Sequence, residues 1–398
     1  MIDRPLRVLH LDHTARLSGG EIALARMLAA MDLDLVRPMV VLAEDGPLHA
    51  ALASSGVAVE VEPMSADLRE IRKDSVDFRV VAKVRAVGIL LAYSVRIARL
   101  ARAQKIDVIH TNSLKAAFYG ALAGRMARIP VVWHIRDHID PTYLPAPAVR
   151  AVRWMAGWLP SHVVANSAST LERVLPATGG REGARATVVH GGIDPPGGGS
   201  WPVEAPAPPH GDPPVVGIVG RIARWKGQHV FVDAARRLRD RGIVARYIIV
   251  GTALFGEEDY ERELRAAVAD AGMVDDIEFA GFSERVHETM RSLDVFVHAS
   301  ISPEPFGQVV IEAMAAGVPV VAANDGGVRE IVEDGVSGVL VTAGDSLALA
   351  DAIGGLLSDR PRADAIARAG YARMATRFSA QRTARRMERV FLDVHARR

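Results

Sequence analysis

Two carboxylates, Glu304 and Glu312, stand eight residues apart in the segment 302–338, SPEPFGQVVIEAMAAGVPVVAANDGGVREIVEDGVSG. Pro305 marks a helix start, which leaves Glu304 just outside the helix and puts Glu312 on its body. On one continuous helix the pair would lie about 80° apart, an indifferent match for acid/base partners. The neighbours suggest another task. Gly307 precedes the helix and Gly317 follows it; a short apolar run leads to Gly326-Gly327 and Glu330. A carboxylate accepts from paired hydroxyls, and the N–H groups that open a helix hold negative charge. This equipment suits a ligand bearing both hydroxyls and phosphate.

A basic cluster lies in 215–227, VVGIVGRIARWKG, where Arg221 and Lys226 flank the loop after an apolar strand. A guanidinium fork beside an ammonium point charge can clamp a diphosphate; two solvated surface cations are the plainer reading. In the first half, Ser18-Gly19-Gly20-Glu21 precedes a helix. Glycine there lets the backbone approach a phosphate or acceptor, or simply turns the chain. His134 closes a strand, and Arg136, Asp137 and His138 follow as candidates for acceptor contact.

The elements that must position these residues alternate short β-branched runs with longer helical patterns, which argues for parallel sheets with helical crossovers. Strands are predicted over Leu6–Leu11, Met39–Ala43, Ala58–Val61, Asp107–His110, Val131–His134, His162–Ala165 and Thr187–Val189. In the second half they are predicted over Val215–Val219, Arg246–Val250, Ile277–Ala280, Val295–His298, Val318–Val321 and Gly338–Val341. Between them, Asp194–Pro214 is dense in proline and glycine and reads as a linker. The expected division is a first domain over 1–195, a linker over 196–214, and a second domain over 215–377. Ligands of such sheets sit beyond the carboxyl ends of the strands.

At 398 residues the chain suits two domains. Its formal net charge of +1 speaks against a nucleic-acid partner for the whole chain. Residues 1–200 carry a balance of +5 and the remainder −4, so the first half suits an anionic acceptor, a membrane surface or a solvated basic face. The absence of cysteine removes disulfides, thiolate metal sites and cysteine nucleophiles. MIDRPLRVLHLDH enters a strand directly, without a signal-peptide pattern. The apolar segment Phe78–Gln104 is broken by Lys83, Arg85, Arg96 and Arg99. Its longest uncharged stretch falls short of the roughly 20 residues a spanning helix needs. A cytoplasmic protein is expected. Phe78–Gln104 and Ala146–Trp158 mix apolar residues with arginine and are candidates for peripheral membrane contact. Asp32-Leu-Asp34 reads as a solvated helix end, and no metal is called for.

Arg221…Lys226-Gly227 followed by Glu304-Pro-Phe-Gly-x4-Glu312-Ala-Met-Ala-x-Gly-x-Pro-Val-Val resembles the donor half of a retaining glycosyltransferase of family 4. Ser18–Glu21 and Val131–His134 match more loosely. The resemblance implies an α/β protein of GT-B fold: two facing Rossmann-like domains with a cleft between them. The first domain would bind the acceptor and the second the donor, with helix 378–398 packing back on the first. It further implies hexosyl transfer from a nucleotide-diphosphate sugar as co-substrate, UDP favoured over GDP. The acceptor would be a hydroxyl of a lipid-linked glycan, polysaccharide or small natural product, and no cofactor would be tightly bound. Arg221 and Lys226 would hold the diphosphate, Glu304 the sugar hydroxyls, and Glu312 the ribose. The backbones of Phe306, Gly307, Gln308 and Val309 would hold sugar and phosphate oxygens. The loop around Phe282 would lie near the base, Gly19 and Gly20 near the ligand, and His134 near the reacting centre. Another GT-B enzyme (a phosphorylase or epimerase) and a non-catalytic sugar-nucleotide binder are the competing readings.

Overall fold

The computed structural model describes residues 4–65, 80–195, 198–254 and 256–397, with side chains for all of these except 80–86. Phe78 and the side chains of Lys83 and Arg85, and linker positions Pro196 and Gly197, lie outside the described residues. The chain divides into two compact units, Met1–Gly192 with Ala380–Arg398, and Ile193–Ser379.

The first unit runs β1 (Leu6–Asp12), α1 (Gly19–Ala29), β2 (Val36–Leu42), α2 (Pro47–Ser54), β3 (Ala58–Val61), α3 (Val80–Ala103), β4 (Val108–Thr111) and α4 (Leu114–Ala127). It continues through β5 (Val131–Ile135), α5 (Ala146–Trp158), β6 (His162–Ala165), α6 (Ala168–Val174) and β7 (Ala186–Val188). Among the described residues the strands form one parallel sheet in the order β3-β2-β1-β4-β5-β6-β7. Helices cover both faces, so the strands read as continuous apolar runs rather than alternating ones. On one face Leu9, Ile109, Trp133 and Val163 pack under α3 to α6. On the other, Val8, Val108, Val132 and Val164 pack under α1, α2 and the C-terminal helix.

The second unit runs β8 (Val215–Val219), α7 (Gln228–Asp240), β9 (Arg246–Val250), α8 (Glu258–Asp270), β10 (Ile277–Gly281), α9 (Val286–Arg291) and β11 (Val295–His298). After these come α10 (Gln308–Ala315), β12 (Val320–Ala323), α11 (Val328–Ile331), β13 (Val339–Val341), α12 (Ser346–Ser358) and α13 (Arg360–Arg377). Its parallel sheet has the order β10-β9-β8-β11-β12-β13. In each sheet the order reverses once, between β1 and β4 and between β8 and β11. Ligands of open α/β sheets bind at that point, beyond the strands' carboxyl ends.

Each strand expected from the sequence is present, shifted by one to three residues at some ends. The strand expected from Val318 begins at Val320. The Val318 N–H is spent closing α10 on the Ala313 carbonyl, and Pro319 has no N–H to give.

The Pro/Gly-rich segment forms neither helix nor strand among its described residues, but it is not a free spacer. It packs on the second unit. Trp201 meets Tyr371 edge-on at 5.9 Å, and the Tyr371 hydroxyl donates to the Pro202 carbonyl at 3.0 Å. The Gly211 N–H donates to Asp294 at 2.9 Å. Proline and glycine deny this segment regular structure without denying it contacts.

The C-terminal helix α14 (Ala380–Ala396) belongs to the first unit. Its buried stripe of Ala384, Met387, Val390, Phe391 and Val394 completes one face of that sheet, and Glu388 accepts from the Asp32 N–H at 2.8 Å. Phe391 is fully buried. Phe391→Ala should therefore destabilise the first unit by about 3–5 kcal/mol, the usual cost of deleting a buried ring. Calorimetric unfolding should show one transition lowered and leave the second unit's transition in place.

Candidate functional site

In the second unit the loops leaving β8 and β11 meet at the reversal point. Glu304 is buried, and one oxygen, Oε1, gathers three partners. Lys226 Nζ donates to it, Ser300 Oγ donates at 2.8 Å, and His298 Nε2 lies 3.2 Å away. Burial opposes ionisation of this carboxyl. The charges of Lys226 and His298, with hydrogen bonds from both, outweigh burial and hold it well below the usual carboxylate range. Glu304 is thus a fixed anion held from one side.

Two glycines permit this arrangement. Gly227 follows Lys226 with φ +72°, and a Cβ there would fall 1.9 Å from the Ala299 carbonyl oxygen. Gly326, at φ +58°, would place a Cβ 2.2 Å from the Glu304 carbonyl oxygen. The next residue, Gly327, donates its N–H to that same carbonyl at 2.8 Å. The Glu304 backbone is clamped by a glycine pair that tolerates no side chain. The Lys226 ammonium also lies 4.4 Å from the Trp225 ring centroid, and the Arg221 guanidinium 5.8 Å from it. The structure therefore brings Arg221, Lys226 and Glu304 into one neighbourhood.

The remaining predicted residues of this unit divide by how they can act. Gly307 caps α10 in the left-handed region, and Gln308 and Val309 open the helix. Phe306 is buried in the core and meets Phe378, so only its backbone faces outward chemistry. Glu312 is half-buried in the second turn of α10. Phe282 follows β10 and is 73% exposed, available for stacking rather than core packing.

In the first unit a polar network occupies the corresponding reversal point. Asp12 ends β1 fully buried. It accepts from the Asn112 amide at 2.7 Å and from the His13 N–H at 2.7 Å. Asn112 also donates to the Gly20 carbonyl at 3.3 Å and accepts from Arg136 Nε at 2.8 Å. Ser18 Oγ donates to Glu21. Burial, then the Asp12 charge, pushes the Glu21 carboxyl up; burial brings the Arg136 guanidinium down to about 10. A Cβ on Gly20 would lie 3.4 Å from Arg136 Cδ, whereas Gly19 has open space around it. Gly20 and Arg136 are thus held together through Asn112. Asp137 and His138 turn instead to Tyr143 at 2.7 Å and Ser169 at 3.3 Å.

His134 is buried near the end of β5 with its Nδ1 3.2 Å from His110 Nε2. Sequence reasoning passed over His298, Ser300, Asp12, Asn112, His10 and His110. A signal existed for the histidines: each interrupts an otherwise apolar buried strand, as His134 does.

Two family models match side by side: Glycosyltransferase Family 4 over residues 47–196 and Glycosyl transferases group 1 over residues 203–373. The lipopolysaccharide core biosynthesis mannosyltransferase LpsB of Rhizobium meliloti is 36% identical over 178 residues, covering 44% of this chain and 50% of that one. A 2-deoxystreptamine glucosyltransferase of Streptomyces kanamyceticus is 34% identical over 173 residues, 43% of each chain. The chain spans half or less of the length of these curated relatives. Among solved structures, Anabaena Alr3699/HepE in complex with UDP and glucose matches with a TM-score of 0.80 at 28% identity, over 97% of this chain and 99% of that one. The two matched models, the paired parallel sheets and the full-length structural likeness together place the chain in the family 4 glycosyltransferases of GT-B fold.

Proposed function

We propose that the chain transfers a hexosyl group from a UDP-sugar to a hydroxyl acceptor, with retention at the anomeric carbon and without a metal. The observation that carries this reading is the pair of half-buried Lys226 and buried Glu304, with His298 and Ser300, at the β8/β11 reversal point. Glu304 is an acceptor that stays ionised, which fits hydrogen bonds from sugar hydroxyls and argues against a general acid. An ammonium has three N–H donors, so Lys226 can hold Glu304 and still reach a phosphate oxygen. Arg221 shares that anion. The N–H groups of Gly307, Gln308 and Val309, at the start of α10, add further positive potential, and Glu312 takes the ribose hydroxyls. The UDP bound to HepE supports uridine as the base.

On this reading the bond between the anomeric carbon and the leaving phosphate breaks while the acceptor oxygen bonds on the same face. The acceptor proton passes to a leaving phosphate oxygen. Glycosidases reach retention with two carboxylates about 5–5.5 Å apart, one a nucleophile; Glu304 is instead committed to its three partners. Charge stabilisation of the departing diphosphate by Arg221 and Lys226 is then the main catalytic contribution. In the first unit, Gly19, Gly20 and Arg136 border the acceptor.

The relatives act on lipopolysaccharide core in one case and on 2-deoxystreptamine in another, so they favour no single acceptor class. No described helix is long and apolar enough to cross a membrane. On α5, however, Trp154 and Trp158 are 67% and 73% exposed one turn apart, beside exposed Arg150. Aromatic rings with arginine suit a bilayer interface, which favours an acceptor presented at a membrane.

Arg221→Ala and Lys226→Ala should each lower turnover on the order of 100- to 1000-fold, the cost of losing one charge-stabilising donor. Near-normal turnover in both would defeat the reading. A panel of UDP- and GDP-sugars, followed by binding and slow hydrolysis, should select a UDP-sugar. Because the Glu304 carboxyl is depressed on folding, its stabilisation is present above about pH 4.3, its ordinary value, and fades as pH falls toward the folded value. The gap in melting temperature between wild type and Glu304→Gln should accordingly be widest near neutral pH and narrow below about pH 4. Trp154→Ser with Trp158→Ser should abolish co-flotation with anionic vesicles if α5 is the contact.

A further inference from the structure

His298, the last residue of β11, turns its Nε2 to two oxygens: Glu304 Oε1 at 3.2 Å and Ser300 Oγ at 3.3 Å. Both can only accept there. Glu304 is ionised, and the single Ser300 proton is already given to Glu304 at 2.8 Å. His298 Nε2 therefore carries a proton and donates it to this pair. The other ring nitrogen, Nδ1, is buried and has no hydrogen-bond partner in the protein.

Gln228, which opens α7, is left with a loose end of the same kind. Its Nε2 donates to the Arg221 carbonyl at 2.9 Å, and since a carbonyl only accepts, this contact fixes which end of the amide is nitrogen. Its Oε1 is buried with no partner in the protein. Gln228 and His298 are 1% and 4% exposed, and both line one small cavity, together with Lys226 and Ser300. Its volume is about 10 Å³, on the scale of the roughly 10–15 Å³ that admits a single water. An unpaired polar atom withdrawn from solvent is costly, and an apolar guest would strand both. One water serves both. It donates to Oε1, and it can donate to a bare Nδ1 or accept from a protonated one. Lys226 has N–H donors beyond the one given to Glu304 and can supply a third bond, the usual number for a buried water.

We propose that this cavity binds one ordered water that bridges Gln228 Oε1 and His298 Nδ1, and that Gln228 and His298 are positioning residues for Glu304. The chain of bonds then runs from the Arg221 carbonyl through Gln228, the water and His298 to Glu304 Oε1. It ties the loop after β8 to the carboxylate after β11 by a route separate from the Lys226–Glu304 ion pair. With Oε1 held by three partners, Oε2 is the oxygen left to meet a ligand hydroxyl. The inference deepens the transferase reading above and rests on it only for the identity of that ligand.

The test is a crystal structure of the full chain at a resolution that shows ordered water, with kinetics of Gln228→Met, His298→Phe and the double variant. In the wild type one water should lie within about 3.2 Å of both Gln228 Oε1 and His298 Nδ1, and nitrogen-15 NMR should find His298 protonated on Nε2. Methionine and phenylalanine roughly keep the side-chain size and remove the polar atoms. Gln228→Met alone should lower kcat/KM for the UDP-sugar selected by the panel above roughly 10-fold, the scale of losing an outer hydrogen-bond partner. In the His298→Phe background it should lower kcat/KM little further, because the water has lost the atom it passed the effect to. A dry cavity, a water bonded to only one of the two atoms, a bare His298 Nε2 or fully additive effects would overturn the inference. Should the variants fail to fold, the wild-type density and tautomer decide it. A bridging water in a protein that transfers no sugar leaves the water site standing and the transferase reading fallen; a dry cavity in an active transferase does the reverse.

Discussion

A carboxylate withdrawn from water survives as an anion only beside a countercharge and donors. Glu304 meets that demand through Lys226, 78 positions earlier in the chain, and through Ser300 and His298 nearby. Much of the second unit follows from it. The loop after β8 must reach the loop after β11, so these strands must be neighbours, and they are. The turn at Gly227 must press against Ala299, and Gly326 must press against Glu304 itself, which excludes a side chain at either place. Removing either charge alone would strand the other in a poorly solvated setting.

The first unit repeats the topology and changes the chemistry. At its own reversal point stand Asp12, Asn112, Arg136 and Glu21, a mixed-charge network tied to the Gly20 backbone. On the sheet face beneath α14 lies a row of neutral histidines. One scaffold thus presents a fixed ion pair in one unit and a polar network with a row of buried imidazoles in the other. Shared topology accounts for where each cluster sits, and the loop residues account for what each can do. The C-terminal helix contributes by burial: Phe391 keeps the histidine row dry, and dryness keeps it uncharged.

The strands among the described residues were legible because parallel strands covered on both faces must be apolar throughout, a pattern that survives any choice of tertiary neighbour. The paired glycines and the residues flanking Glu304 were legible for a similar local reason, since a left-handed turn or a helix opening restricts residue type. Less legible were contacts made across the sheet. Nothing near Asp12 in sequence announces Asn112, and nothing near Lys226 announces that its partner is Glu304 rather than phosphate alone. The Asp194–Pro214 segment is a further case: its composition excluded regular structure, yet its docking on Tyr371 and Asp294 depended on surfaces formed far away in the chain.

The opening carboxylate pair shows the same division. Spacing and Pro305 alone separated Glu304 from Glu312 and spoke against an acid/base partnership, because helix periodicity is a local property. Family membership was likewise written in the order of residues from Arg221 to Val321. Tertiary structure decided the protonation chemistry. Whether Glu304 is charged depends on how close Lys226 and His298 come once β8 and β11 pair, and which nitrogen of His134 carries its proton depends on His110 across a strand contact. Charge state and tautomer answer to burial and to partners distant in sequence, which no local pattern encodes.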